Sequence, residues 1–452
     1  MTRWVEQELS GWGRYPVIRA HCARPERQSE LFNAFKSRDG EPLIAHGLGR
    51  SYGDAALLKD GRVLLNRRLN RMLSFDRKEG WLRCEAGVTI GEMVETFLPR
   101  GWFPPVVPGT QFVTLGGAIG CNIHGKNHGH GGCFGDHIRE IEILLGSGEV
   151  VTCGPEKEAD LFWATIGGMG LTGVILSAEF QLYSVESGAI SMETIRFENL
   201  NEFFEISAES KEYLHTVSWI DCVASGDAMG RGIFMRGEHA GAGADEELQP
   251  GTVEKLATAV QEMVDGRLFR SNHLLNGATI RLFNEAYFRK ESPGLNRSTL
   301  GVQPFFFPLD AVKNWNFIYG KRGFLQYQMV VPEREALREI LGEISRSGMG
   351  SFLAVIKEFG PMDHGGLSFP RGGTTLALDF PNYGERLLEM LEVLDEIVIA
   401  AGGRVYLGKD ARLSQEKFQR MYPDWQGWKE VRDRWDPERV FQSDLAVRLG
   451  LV

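Results

Sequence analysis

The residues able to do chemistry in this chain collect where glycine does. Glycine accounts for 55 of the 452 residues, and three segments set it among polar side chains. The first is Gly47-Leu48-Gly49-Arg50-Ser51-Tyr52-Gly53-Asp54. The second runs from Pro108-Gly109-Thr110 through Leu115-Gly116-Gly117-Ala118 to His124-Gly125-Lys126-Asn127-His128 and Cys133-Phe134-Gly135-Asp136. The third is Gly167-Gly168-Met169-Gly170-Leu171-Thr172-Gly173. Successive N–H groups in such turns form concave anion sites that hold a diphosphate without side-chain charge. The missing Cβ also lets a flat ring lie against backbone. One cluster alone is an ordinary turn; three in one region point to a bound cofactor.

Two competing readings fail on context. The third segment matches G-x-G-x-x-G, but a helix is expected before it and a strand after it. A Rossmann site needs the reverse order, and no Gly-Lys-Ser/Thr phosphate loop is present. His124, His128, His130 and His137 are irregularly spaced, and no thiolate or carboxylate completes a tetrahedral set. No metal is expected.

The elements that position these segments follow from periodicity and end signals. A helix is expected from Pro25 to Phe35, then a buried strand at Pro42-Leu43-Ile44-Ala45. Trp81 to Ala86 reads as a strand, and Thr89 as the N-cap of a helix over Ile90 to Leu98. Arg139–Leu145 and Glu149–Thr152 form a hairpin across Gly146-Ser147-Gly148. A helix over Glu156–Ala164 precedes the third glycine segment, and a strand over Gly173–Leu182 follows it. Beyond Gly188 come a strand at Ile195-Arg196-Phe197, a helix near Asn201–Ala208, a strand at Val217–Val223 and a Gly-rich loop from Gly237 to Pro250. Then follow strand Phe324–Val331, helix Glu333–Ser345, strands Phe352–Phe359 and Thr374–Phe380, helix Glu385–Ala400 and strand Arg404–Leu407. Strands in succession with helices between pairs predict an antiparallel sheet covered by helices, hence α+β.

Composition narrows the class. The length predicts two or three domains, and 43% hydrophobic with 24% charged residues is ordinary for a globular chain. A net charge of −10 argues against nucleic acid as a partner. No stretch approaches the roughly 20 apolar residues that span a bilayer, and Met1 to Ser10 lacks a secretory pattern. The six cysteines (Cys22, Cys84, Cys121, Cys133, Cys153, Cys222) are scattered, as expected of reduced thiols in a cytoplasmic chain.

The order GLGRSYGD, PGTQFVTLGGAIGCNIHGKNHGHGGCFGDHI and DLFWATIGGMGLTGVI resembles the FAD-binding domain of the vanillyl-alcohol-oxidase/PCMH superfamily. From Gly11-Trp12-Gly13-Arg14 to Phe441-Gln442-Ser443-Asp444 the chain is similar to decaprenylphosphoryl-β-D-ribose 2'-oxidases. The similarity includes GFLQYQ at Gly323–Gln328, Ser351-Phe352-Leu353, Lys357 with Phe359-Gly360-Pro361, Leu367-Ser368-Phe369-Pro370, and Tyr406 with Lys409-Asp410. The resemblance implies a two-domain PCMH-type fold. Residues 1–186 and 403–452 would form the FAD-binding domain, and 187–402 an inserted substrate domain with an antiparallel sheet.

It also implies roles. Gly47, Gly49, Arg50, Ser51, Tyr52, Gly53, Gly109, Thr110, Gly116, Gly117, Ala118, Cys121, Asn122, His124, Gly125, Asn127, Gly170, Gly173, Val174 and Lys409 would hold FAD. Arg50 stands where some superfamily oxidases carry the histidine bonded to the flavin, so the FAD is expected to be non-covalent. His124 and Lys126 would lie at the flavin and substrate pocket. Lys409 would either balance charge on reduced flavin or draw the hydroxyl proton from the substrate. Gln326, Gln328 and Lys357 are candidates for sugar and phosphate contacts, and Thr375 stands where an asparagine is typical. Tyr52 and Trp219 would wall the pocket, although Trp219 could equally be core. Ala377 replaces a cysteine of the mycobacterial members, and Phe306 replaces a tyrosine.

The expected reaction is oxidation of the 2'-hydroxyl of a polyprenylphosphoryl ribose, with a short-chain NAD(P)H-dependent reductase as partner and contact with the inner face of the cytoplasmic membrane. The alternatives are an oxidase of soluble alditols or aldonolactones, and a non-catalytic flavoprotein.

Overall fold

The computed structural model describes residues 3–244 and 277–452. The first sheet joins β1 (Val5–Ser10), β2 (Val17–Ala23), β3 (Leu43–His46) and β4 (Arg62–Leu65) in the order β1-β2-β4-β3. β2 and β3 both run parallel to β4, which requires a crossover between them. The helix Gln28–Lys36 supplies it and buries Leu31, Ala34 and Phe35, spaced i, i+3, i+4 along one stripe.

Next along the chain come β5 (Met72–Phe75), β6 (Trp81–Glu85), β7 (Trp102–Phe103), β8 (Ile138–Leu144), β9 (Val150–Cys153), β10 (Val174–Gln181) and β11 (Tyr183–Ser184). Five of them form an antiparallel sheet, β5-β6-β10-β8-β9, while β7 pairs with β11. The helix Ile90–Phe97 starts at Thr89 through a reciprocal capping box with Glu92.

The remaining strands, β12 (Ala189–Phe197), β13 (His215–Ile220), β14 (Gly232–His239), β15 (Leu295–Gly301), β16 (Phe324–Val331), β17 (Ala354–Phe359), β18 (Gly373–Pro381) and β19 (Arg404–Val405), build one antiparallel sheet, β15-β12-β14-β13-β17-β18-β16-β19. In its middle the two faces differ. Leu325, Tyr327 and Met329 of β16, Ala354 and Ile356 of β17, and Leu376, Leu378 and Phe380 of β18 are buried against helices Arg334–Ser347 and Glu385–Ala400. Each such side chain contributes roughly 1.5–3 kcal/mol. Because side chains alternate, the opposite face must carry Gln326, Gln328, Lys357, Thr375, Ala377 and Asp379. The strand pairing places these side by side: Gln326 opposite Asp379, Gln328 opposite Ala377, and Lys357 opposite Thr375.

The α+β architecture is as expected, with local differences. The helix expected from Glu156 starts at Ala159, because Gly154 and Lys157 close a tight bridge and Glu158 takes a left-handed backbone, φ 46°. The strand expected at Ile195–Phe197 extends back to Ala189, gaining partners on both edges. Gly237 lies inside β14 and not in a loop; a Cβ there would come within 2.9 Å of the Ser191 carbonyl oxygen. The rest of that expected loop, from residue 245, is outside the described residues. The strand expected at Arg404–Leu407 pairs with β16 at Arg404 and Val405, and its last link is the Tyr406 N–H donating to the Gln328 carbonyl at 2.8 Å. The six cysteines are all free.

Candidate active site

The first glycine segment leaves β3 and turns at Gly49, φ 63°. The N–H groups of Leu48, Gly49, Arg50 and Ser51 donate to no acceptor among the described residues. Four successive open donors form an anion nest suited to a diphosphate. The turn is clamped from both sides. The Trp12 N–H donates to the Ser51 carbonyl at 2.8 Å, and the Tyr52 N–H to the Gly408 carbonyl at 3.1 Å. Arg448 grips Asp54 with two bonds of 3.0 and 2.7 Å, and Asp410 with one of 2.8 Å. Gly53 has no alternative residue in this packing, since a Cβ would lie 1.8 Å from the Asp410 carbonyl oxygen.

The second segment faces the first. Thr114 caps the helix Leu115–Gly120 by accepting from the Gly117 N–H, while Ala118 is fully buried. A Cβ at Gly116 would press within 3.1 Å of Ala86 Cβ, and one at Gly47 would meet Thr114 Oγ1 at 2.4 Å. Gly109, by contrast, opens onto space with no atom within 4 Å. Thr110 Oγ1 and the Gln111 N–H are held by Asp310 at 2.8 and 2.7 Å. Cys121 Sγ lies 3.7 Å from Ser51 Oγ, and the Cys121 carbonyl accepts from Tyr406 Oη at 2.9 Å. Gly170, φ 77°, packs its N–H 3.6 Å from where a Gly120 Cβ would be. Gly173 leads into β10, which buried Val174 starts, and Gly173 is too close to Leu144 for a side chain. These segments fit FAD: four successive open N–H groups, a backbone position at Gly109 that opens onto space, and glycine turns packed too closely for side chains.

Against these segments lies the polar face of the large sheet. Gln328 donates from Nε2 to His124 Nε2 at 2.9 Å and to Thr375 Oγ1 at 3.3 Å. That leaves the His124 proton on Nδ1, which has no partner. The ring is packed by Phe359, Phe369 and Tyr406. Burial and then the neighbouring Lys357 hold its pKa well below the usual value, so it is a neutral hydrogen-bond donor. Lys357 Nζ donates to the Gly125 carbonyl at 3.2 Å, and Lys126 Nζ to the Phe306 carbonyl at 3.3 Å. Lys409 Nζ rests 4.0 Å from the centre of the Tyr52 ring.

These three lysines form no ion pair among the described residues. Each keeps partial exposure yet is largely enclosed by protein. Desolvation therefore lowers Lys126 to about 8. It lowers Lys357 to about 7, helped by repulsion from Lys126 and Lys409. It lowers Lys409 to about 8, against the opposing pull of Asp379.

Some expected site residues stand apart. The Asn122 amide is taken up by Ser368 Oγ at 2.9 Å and the Gly135 N–H at 3.0 Å, and the Asn127 amide donates to the Pro105 carbonyl. Both brace the loop through their side chains. Trp219 shares the face of Lys357 through β13, but it packs on Ile233, Tyr287 and Phe288 and donates to the Phe352 carbonyl at 3.0 Å. The histidines that suggested a metal diverge: His128 Nε2 meets Cys133 Sγ at 3.4 Å, His130 meets the Lys211 carbonyl and His137 the Gly131 carbonyl. Cys133, Asp136 and His364 do bring potential ligand atoms within 4.8 Å of one another. Asp136, however, is bonded to His364 at 2.8 Å and to the Cys133 N–H at 2.7 Å. Arg50 lies over Trp12 at 3.9 Å and Phe112 at 4.9 Å. Sequence reasoning missed Asp310, Tyr319 and Asp379. For Asp379 the signal was available: a carboxylate in the middle of an apolar strand.

The class follows from the cradle and from family comparison. An FAD binding domain family model matches residues 20–154, and one for D-arabinono-1,4-lactone oxidase matches residues 334–449. The protein is an FAD-dependent oxidoreductase. Decaprenylphosphoryl-beta-D-ribose oxidase of Mycolicibacterium smegmatis is 38% identical over 455 residues, covering 99% of this chain and 98% of that protein. A Streptomyces coelicolor protein encoded in the mprA 5' region is 32% identical, covering 80% of this chain and 100% of that one. A putative D-arabinono-1,4-lactone oxidase of Neurospora crassa is 30% identical, but over only 30% of this chain and 24% of its own length. The chain belongs to the decaprenylphosphoryl-β-D-ribose oxidase family.

Proposed function

We propose that this enzyme oxidises the 2'-hydroxyl of a polyprenylphosphoryl ribose to a ketone, the first half of a ribose-to-arabinose epimerisation. The observation that carries the reading is the cluster of Lys126, Lys357 and Lys409 around one cleft, without an ion pair among the described residues. Desolvated cations drift toward neutrality unless an anion joins them. A sugar phosphodiester brings that charge; an alditol or aldonolactone does not. The full-length similarity to the Mycolicibacterium enzyme supports the same substrate class.

Bound FAD supplies the hydride acceptor. The chain's own residues do the rest. Lys126 and Lys357 hold the anionic group. Gln328, fixed by His124 and Thr375, orients the sugar, and His124 offers its free Nδ1–H. Lys409 takes the hydroxyl proton or balances the charge that builds beside it. Residues 1–186 and 403–452 form the flavin-holding part, and 187–402 the substrate-holding part. The FAD is non-covalent, because Arg50 cannot bond the ring. A reductase that uses NAD(P)H consumes the keto sugar, and the lipid tail brings the enzyme to the membrane surface. No described helix is long and apolar enough to cross a membrane.

A second reading, oxidation of soluble alditols or aldonolactones, is favoured by the lactone-oxidase match at 334–449. Anaerobic mixing separates the two. The yellow absorbance should bleach with polyprenylphosphoryl ribose and persist with an aldonolactone or alditol. Bleaching by the soluble sugars alone would discard the lipid-linked substrate. Acid precipitation of the same sample should release the flavin to the supernatant.

A further inference from the structure

The second glycine segment and the chain leaving β17 meet in a cluster that the proposed reaction does not use. Cys133 Sγ, a carboxylate oxygen of Asp136 and a ring nitrogen of His364 lie within 4.8 Å of one another. Cys133 and Asp136 bracket one short turn, Cys133-Phe134-Gly135-Asp136. That spacing lets a turn offer two ligands to one ion. His364 arrives from the other side, beyond the end of β17 at Phe359.

The cluster is enclosed and braced. Cys133 is 1% exposed, and the side chains of Asp136 and His364 are 19% and 14% exposed. The Cys133 N–H donates to one Asp136 oxygen at 2.7 Å, and the other oxygen lies 2.8 Å from His364 Nε2. This second contact has ion-pair distance without hydrogen-bond alignment, and His364 Nε2 is buried with no hydrogen-bond partner among the described residues. Two ligands of one ion stand side by side in this way. The Trp163 ring stacks on His364, centroids 5.1 Å apart and planes at 15°, which holds the imidazole plane.

His128 stands behind the sulfur. The Gly360 N–H donates to its Nδ1 at 3.0 Å, so the ring proton sits on Nε2, 3.4 Å from Cys133 Sγ. An N–H aimed at sulfur orients and stabilises a thiolate, the outer-shell support on which metal sites depend. His128 is therefore not itself a ligand, and His130 and His137 bond backbone carbonyls elsewhere. Neighbouring Asp363 is committed to Arg404.

We infer that Cys133, Asp136 and His364 bind one zinc ion, with a fourth position left to water. Thiolate, imidazole and carboxylate are zinc's usual ligands, whereas magnesium and calcium take oxygen. The thiolate and the carboxylate bring the two negative charges that a dication neutralises. Zinc bonds of about 2.0–2.3 Å put ligand atoms roughly 3.5 Å apart, and atoms already within 4.8 Å reach that by side-chain rotation. Binding releases the Cys133 thiol proton to solvent. The ion pins the loop that carries His124 and Lys126 to the chain that leaves the strand of Lys357. None of this draws on the identity of the sugar.

The test uses the FAD-bound enzyme, dialysed first against a chelator and then against zinc chloride, with bound metal counted by plasma mass spectrometry. One zinc per chain is expected. Its X-ray absorption spectrum should show a single sulfur at about 2.3 Å among lighter ligands. His364→Gln and Cys133→Ser should each weaken zinc by roughly 100-fold, the share of one ligand in a site of ordinary zinc affinity. Cys133→Ser should also remove the sulfur signal. His130→Gln alters a histidine outside the cluster and should change neither reading. The visible flavin spectrum reports whether each variant is folded; where Cys133→Ser does not hold its flavin, His364→Gln, on a partly exposed loop, decides alone. No stoichiometric zinc, zinc without a sulfur ligand, or zinc held equally well by His364→Gln would overturn the inference.

Discussion

The two walls of the cleft are built on opposite principles. The glycine wall presents backbone: open N–H groups at Leu48 to Ser51, and glycines whose missing side chains are the feature that matters. The sheet wall presents side chains, Gln326, Gln328, Lys357, Thr375 and Asp379, on strands whose other face is locked under two helices. A backbone wall suits a ligand that never changes, because main-chain donors survive every substitution except proline. A side-chain wall can be re-specified one residue at a time while the scaffold stays fixed. On the function proposed above, the cofactor and the substrate divide accordingly.

That contrast can be broken from either side. The largest effect is expected at Gly53→Ala, where the new Cβ would lie 1.8 Å from the Asp410 carbonyl oxygen. The two chain segments must part, and the purified protein should carry almost no flavin, read from its visible spectrum. Lys409→Ala should leave the flavin in place and lower the rate of flavin reduction by roughly 10²–10⁴, the usual worth of a positioned acid–base group. Unchanged turnover would remove Lys409 from the mechanism.

Lys357→Met should act more mildly, raising KM for an anionic substrate by roughly 10–100-fold, as expected for a lost charge-assisted hydrogen bond. A pH series sharpens this. With Lys357 at about 7 and Lys126 at about 8, both are ammonium ions below these values. Affinity for a phosphodiester should thus be full at pH 6 and weaken as pH rises through 7 to 8. In Lys357→Met the part of this dependence near 7 should be missing. A KM flat with pH in the unaltered enzyme would mean that these amines do not hold the anion.

The two walls also differ in how far the sequence discloses them. Glycine clustering exposes the backbone wall directly, because Gly49 and Gly170 adopt positive φ and Gly53 tolerates no Cβ. Period-two alternation placed Gln326 and Gln328 on one face. It cannot pair β16 with β18, so an apolar strand that carries Asp379 reveals the carboxylate but not its partner Gln326. Asn122 illustrates the converse. It lies inside a glycine-rich motif, yet its side chain serves Ser368 and Gly135, contacts 246 and 13 residues away that local sequence does not reveal. Trp219 remained ambiguous for the same reason, since its ring neighbours Tyr287 and Phe288 come from a distant helix.

The clamp of Arg448 on Asp54 and Asp410 has a consequence for biogenesis. It joins residues 394 positions apart, so the first glycine turn gains this brace only after Arg448 has been added to the chain. Contacts this remote in sequence are late and slow to form. This turn is accordingly among the last parts of the molecule to be locked.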